Sequence, residues 1–199
     1  MENRETFLAR LRPVVPPGEL LDIQLAYTLA KYAHRAQVRS ERDAAGAPLR
    51  YFEHPRRVAL ILIDLGRILD PLMLEAALLH DGIEDTPDLT AAMIERHWGS
   101  DVARLVQALS KVPEEGYLDR LWAFGDWRVL LIKAADRLDN LRSLRPDQVS
   151  AAFRARQLEE TRAKYLPLFE HLLEIVPMAV RPGALRIVAE IRALASAPV

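Results

Sequence analysis

The chain contains no cysteine. That absence excludes disulfides and thiolate metal ligands, so a bound cation has only imidazole and oxygen donors to draw on, and it suits a reducing cytoplasm. An excess of one charge is also missing: 27 Lys and Arg stand against 28 Asp and Glu, for a formal net charge of -1. A balanced chain with a pI near 6.5 lacks the basic surplus of a generic nucleic-acid or membrane-surface binder, so any grip on a polyanion must be local. No apolar run approaches the roughly 18 residues that a membrane span requires. The opening Met1-Glu2-Asn3-Arg4-Glu5 is too polar for a secretory signal. These absences lead to the expectation of a cytoplasmic protein with no nucleic-acid and no membrane partner, and with homo-oligomerisation left open.

Strand alternation is lacking as well, and helical spacing takes its place. Leu20, Leu21, Ile23, Leu25, Ala26, Leu29, Ala30 and Ala33 predict a long helix after Pro16-Pro17-Gly18, with His34 towards its end. Ser40 to Pro48, carrying Ala44-Ala45-Gly46-Ala47, reads as a loop leading to Tyr51-Phe52-Glu53-His54-Pro55, where Pro55 suits a first helical turn. Val58 to Leu65 fits a buried helix, Pro71 opens the next, and Thr90 starts another that ends near Trp98-Gly99. Ser100-Asp101, Asp126 and Asp147 are read as caps for helices over Val102–Val112, Trp127–Leu144 and Val149 to about Ile175. After Pro177 and Pro182, Gly183 to Ala195 reads as a closing helix. The expectation is an all-α bundle of about nine or ten helices in a single domain over residues 1–199, with helices from about 147 to 196 packed on the rest.

Residues 80 to 86 read His80-Asp81-Gly82-Ile83-Glu84-Asp85-Thr86. At about 100° per residue, His80, Asp81, Glu84 and Asp85 share one side of a helix. Gathering one imidazole and three carboxylates in a partly desolvated place is costly unless a cation neutralises them. His54 before Pro55 and Asp136 in Leu131-Ile132-Lys133-Ala134-Ala135-Asp136-Arg137 supply the missing donors. Together His54, His80, Asp81 and Asp136 give two imidazoles and two carboxylates, a ligand set for Mn²⁺, Fe²⁺ or Zn²⁺ with room left for water. His97 and His171 lack such company and read as surface residues. The Glu159-Glu160 and Arg162–Lys164 charges read as a solvated face.

Four strings carry a resemblance. AYTLAKYAHRAQVR (Ala26–Arg39), YFEHPRRV (Tyr51–Val58), AALLHDGIEDT (Ala76–Thr86) and IKAADRLDNLRSL (Ile132–Leu144) resemble, in order, the successive motifs of the HD-domain metal-dependent phosphohydrolases. Within these, the similarity is to the hydrolase domain of RelA/SpoT-type proteins, which degrade ppGpp and pppGpp, and it spans about residues 20–145. The resemblance implies the HD helical fold and a divalent cation, Mn²⁺ first among the choices. It implies His54, His80, Asp81 and Asp136 as ligands, Glu84 and Asp85 as the catalytic acidic pair, and Arg39 and Asn140 as nucleotide contacts. His34 takes a supporting role behind the ligands. Lys133, three residues before Asp136, could point into the same pocket, and Ser143 keeps the hydroxyl of the family's threonine; both are read as substrate-binding.

The chain departs from that pattern at Ser40, where many members carry lysine, in a longer 40–53 loop, and at Asp139, where histidine is common. Ser40 implies a missing phosphate contact, and Asp139 bears on substrate identity rather than chemistry. The chain's 199 residues leave no space for a synthetase domain, so it resembles the small stand-alone alarmone hydrolases, including the animal SpoT homologue. The implied activity is Mn²⁺-dependent removal of the 3′-pyrophosphate from a small-molecule guanine nucleotide. Two alternatives are an HD phosphohydrolase acting on another phosphate ester, such as a dinucleotide cofactor phosphate, and a non-catalytic alarmone-binding protein. An all-α scaffold would explain the apolar periodicity but not the ligand set.

Overall fold

The computed structural model describes residues 2–43, 45–87 and 89–197. Its helices are α1 (Arg4–Ala9), α2 (Pro17–Ala33), α3 (Glu53–Leu60), α4 (Pro71–Leu79), α5 (Gly82–Asp85), α6 (Ala91–Leu109), α7 (Tyr117–Phe124), α8 (Trp127–Arg142), α9 (Ala151–Glu160), α10 (Leu166–Ile175) and α11 (Arg181–Ala195). A π-helical segment, Ile61–Gly66, prolongs α3, and a second, Thr161–Tyr165, joins α9 to α10 without a break. With those joins made and the single turn α5 set aside, the described residues form nine helices, in line with the sequence expectation.

Two helices are central because apolar residues lie on several of their sides. In α4, Leu74, Ala76, Ala77, Leu78 and Leu79 are wholly buried, and so are Val129 to Ile132, Ala134 and Ala135 of α8, whose Lys133, Asp136, Arg137 and Asp139 are buried with them in hydrogen bonds and ion pairs. Apolar surface beyond a single stripe drives a helix into the interior. Accordingly α4 packs against α2, α3, α6 and α8, while α10 and α11 cover α8. Each fully buried leucine here contributes about 1.5–3 kcal/mol of transfer free energy. His80 and Asp136 are therefore built on the two most deeply held elements.

Helix starts follow local chemistry. The Asp70 side chain accepts from Met73 N ahead of Pro71, and Thr90 and Asp126 cap α6 and α8 through the backbone amides of Met93 and Arg128. One expectation is corrected: Asp147 does not cap the long C-terminal helix, because it pairs with Arg145 and Ser150 accepts from Phe153 N instead. The break expected near Trp98-Gly99 is present, since Gly99 takes φ 83° and ψ 171°, outside the helical range, and divides α6 into two helical segments.

The segment read as a loop holds an antiparallel hairpin, β1 (Val38–Arg42) with β2 (Pro48–Arg50). Its residues carry no alternating apolar face, so periodicity had nothing to detect. Within the turn, Asp43 Oδ1 accepts from the amides of Ala45 and Ala47; Ala44 lies outside the described residues.

Glu75 sits inside this core on α4, 6% exposed. Burial, and then the charges of Asp22, Glu19 and Asp70, push its carboxyl up to about 8 from an ordinary 4.5. A folded value above the unfolded one means that its contribution to stability is complete below the unfolded value and is lost as pH rises through about 8. Glu75→Gln is therefore expected to be more stable than the parent at about pH 9 and nearly equal at about pH 5, as read by urea unfolding. A stability difference that does not vary with pH would contradict this.

Candidate metal centre

Three elements converge on one place. His54 comes from the first turn of α3, His80 and Asp81 from the break at the end of α4, and Asp136 from the middle of α8. His54, His80 and Asp81 each offer one donor atom, and these atoms all lie within 4.8 Å of one another. Both imidazoles are oriented from behind. His80 Nδ1 donates to Ala77 O at 2.8 Å, and His54 Nδ1 lies 2.7 Å from Asp139 Oδ2. Each ring therefore keeps Nε2 for the shared space.

His80 Nε2 is a buried nitrogen with no hydrogen-bond partner, although Asp81 Oδ1 lies 3.1 Å away. Leaving such an atom unsatisfied costs about 1–3 kcal/mol, and a divalent cation would relieve it. The donor set also fits: two imidazole nitrogens and a carboxylate oxygen suit a borderline-hard ion, and the chain has no competing thiolate. Tyr51 donates its hydroxyl to Asp81 Oδ2 at 2.8 Å, which restricts that carboxylate. The Tyr51 ring stacks on His34 at 4.8 Å, so His34 sits behind the donors.

Asp136 stands beside this trio, with Oδ1 3.1 Å from His54 Nε2. Its oxygens are already engaged, by Asn140 Nδ2 and by Lys133 Nζ, both at 2.7 Å. Burial would raise its carboxyl, but the Lys133 ammonium and His54 hold it well below the usual range. Burial likewise works against a charged His54, yet hydrogen bonds to Asp136 and Asp139 and the charge of Asp81 push it up to about 9.

Glu84 and Asp85 do not continue α4. They occupy the separate turn α5, after a break at His80-Asp81 where Gly82 packs so tightly on Leu89 that a Cβ would meet its Cδ1 at 2.4 Å. Glu84 Oε2 accepts from the backbone of Lys111 at 2.8 Å, and Asp85 is exposed, its carbonyl held by Gln37 Nε2 at 2.7 Å.

A cavity of about 760 Å³ reaches Asn140, the hydrogen-bond partner of Asp136, although none of the four donors lines it. Arg39, Asn140 and Ser143 line it, as does Ser40, together with Lys111, Arg137 and Lys164. Lys133 does not. It is 4% exposed, its ammonium sits on Asp136, and it lies 5.2 Å from the centre of the Tyr117 ring. The structure thus places Lys133 behind a carboxylate rather than before a substrate. Asp139 also leaves the substrate side, being buried against His54 and Arg57.

Several contributors had no signal in the sequence. Tyr51, Gln37, Glu41, Arg57 and Lys111 each have a partner 16 to 86 residues away, such as Arg57 with Glu41 and with Ser143. A chain of hydrogen bonds runs from His54 to Asp139, Arg57, Glu41, Arg39, Asn140 and Asp136, whose Oδ1 lies 3.1 Å from His54 Nε2.

Comparison with known proteins agrees with this architecture. The HD domain family matches residues 26–123. The bifunctional (p)ppGpp synthase/hydrolase SpoT of Escherichia coli K12 is 37% identical over 177 residues, covering 81% of this chain and 23% of SpoT. Guanosine-3′,5′-bis(diphosphate) 3′-pyrophosphohydrolase of Vibrio cholerae is 39% identical over 165 residues, 75% of this chain and 21% of that protein. The chain thus spans less than a quarter of the length of these curated relatives. A solved structure of a metazoan ortholog of SpoT, described as hydrolysing ppGpp, aligns with a TM-score of 0.62 at 26% identity and covers 86% of this chain and 94% of its own. No described helix is long and apolar enough to cross a membrane. With its paired His80-Asp81, its helical bundle and these relatives, the chain carries an HD domain and is homologous to the hydrolase domains of SpoT/RelA-type proteins.

Proposed function

We propose that this protein is a phosphohydrolase that removes the 3′-pyrophosphate from guanosine alarmones, converting ppGpp or pppGpp to GDP or GTP plus pyrophosphate, with Mn²⁺ as its cation. The observation that carries the reading is an unsatisfied His80 Nε2 in a three-donor cluster, joined through Asp136 and Asn140 to a cavity whose lining holds Arg39, Lys111, Arg137 and Lys164 beside Glu114, Asp119 and Glu160. Polyphosphate needs such counter-charge, and the carboxylates alone would repel it.

His54, His80 and Asp81 would hold the cation, with Asp136 completing the set. When bound, it supplies an acidified water near neutral pH and charge neutralisation at the phosphoryl oxygens. Glu84 would take the water's proton: the Lys111 amide fixes Oε2, and Oε1, 3.9 Å from the Lys111 ammonium, is the oxygen left to accept it. The water oxygen bonds to the phosphorus on the ribose 3′ oxygen, the bond from that phosphorus to O3′ breaks, and Asp85 provides the proton that O3′ gains. Arg39 offers a planar guanidinium for phosphate or purine, and Asn140, bonded to Asp136, reaches the ribose. Ser143 is a weaker candidate contact, because its hydroxyl already donates to Asp139 O at 2.9 Å.

Metal-stripped protein given ppGpp with and without Mn²⁺, with products separated by ion-exchange chromatography, tests this. GDP and pyrophosphate in equal amounts, formed only with Mn²⁺, are expected. Equal or faster cleavage of unrelated phosphate esters would favour a different substrate, and binding without products would favour a non-catalytic role.

A further inference from the structure

Asp139 is 2% exposed and has two partners. Its Oδ2 lies 2.7 Å from His54 Nδ1, and Arg57 donates to both of its oxygens, at 2.6 Å from Nε and 3.1 Å from a terminal nitrogen. The same Arg57 donates to Glu41 at 2.7 Å, and Glu41 accepts from Arg39 at 2.7 Å. A buried carboxylate is costly unless paired and hydrogen-bonded, and here every contact is spent on holding one imidazole and one guanidinium.

We infer that Asp139 is a positioning residue for the cation site, fixing His54 with its proton on Nδ1 and its Nε2 lone pair towards His80 and Asp81, while Arg57 holds the carboxylate in place and ties it through Glu41 to Arg39. The inference rests on the proposed reading that His54 is a ligand. Three observations carry it. His54 has no other partner on Nδ1. Its Nε2 is 3.5 Å from Asp81 and 3.1 Å from Asp136, so a ring flip would put a ring carbon where Nε2 now faces the cluster. Asp139 does not line the 760 Å³ cavity; it borders a separate one of about 550 Å³ with its partner Arg57 and with Glu41. A carboxylate behind a ligating histidine raises the basicity of the ring, and losing such a partner typically costs about 10–100-fold in metal affinity.

The test is calorimetric titration of metal-stripped full-length protein with MnCl₂, alone and in a double-mutant cycle with His54→Ala. The parent is expected to bind one Mn²⁺, and Asp139→Ala to bind it about 10–100-fold more weakly. In the His54→Ala background, removing Asp139 is expected to change the remaining affinity little, because its target is gone. An equal loss in both backgrounds would mean a general structural role and overturn the inference. So would parent-like affinity in Asp139→Ala, although the metal-dependent reading would then still stand. A parent that binds no Mn²⁺ takes down both. Should the alanine variant fail to fold, Asp139→Asn decides, because its amide oxygen can still accept from Nδ1 but carries no charge: a several-fold loss supports the role, and parent-like affinity overturns it.

Discussion

Replacing Glu84 with glutamine is expected to lower turnover of ppGpp by about 10²–10⁴-fold, the usual contribution of a positioned general base, while Mn²⁺ affinity stays close to that of the parent. The reasoning is local. Glutamine keeps an oxygen for the Lys111 amide, which Glu84 Oε2 accepts at 2.8 Å, so the turn α5 need not move. What disappears is the second oxygen's ability to take a proton. His80→Ala makes the contrast, because it deletes the unpartnered Nε2 and should lose cation binding and turnover together. Paired kinetics and calorimetry on the two variants separate the roles. Glu84→Gln with unchanged kcat would remove Glu84 from the chemistry, and Glu84→Gln with lost metal binding would make it a ligand.

Gly183→Ala is expected to destabilise the protein by about 3 kcal/mol or more, beyond the common range for overpacking, which corresponds to a fall in Tm of roughly 6–12 °C for a chain of this size. α11 crosses the end of the first π segment so closely that a Cβ on Gly183 would lie 2.0 Å from Gly66 O and 2.9 Å from its carbonyl carbon. Both obstacles are backbone, so no side chain can swing aside. The contact is sealed by Arg186, which donates to Leu65 O at 2.7 Å and to Gly66 O at 3.1 Å, satisfying carbonyls at a helix end. Gly18→Ala is the control: nothing lies within 4 Å of its added Cβ, and alanine is the better helix former, so its Tm should hold or rise. A melt in which Gly183→Ala matched the parent would show that α11 can shift off the segment. Because that segment continues the helix that carries His54, the loss should reach the cluster only as the whole molecule unfolds.

The sequence made the frame legible where one residue type had one job. Pro71, Thr90 and Asp126 announce helix starts, whereas the HDGIEDT string, expected to run on in one helix to Asp85, breaks after Leu79. What stayed hidden was pairing at a distance. A tyrosine three residues before His54 has no reason to be singled out until its hydroxyl is found 2.8 Å from Asp81. The sequence reading turns Lys133 towards substrate because a charged residue among apolar neighbours marks a site without saying on which side of it the charge will lie, and it ties Asp139 to substrate identity only as a departure from the family's histidine. Both instead turn to the donors, where ion pairs to Asp136 and Arg57 offset their burial. The hairpin between α2 and α3 was missed because edge strands with polar residues on both faces leave no period to read.

The central claim is that side chains far apart in sequence meet around a single divalent cation. Anomalous diffraction at the manganese edge, from crystals grown with MnCl₂, tests it most directly. One strong peak bounded by His54 Nε2, His80 Nε2 and Asp81, with Asp136 alongside, is the predicted result. A map with no peak among those residues, or with Mn²⁺ held only elsewhere on the chain, would contradict it.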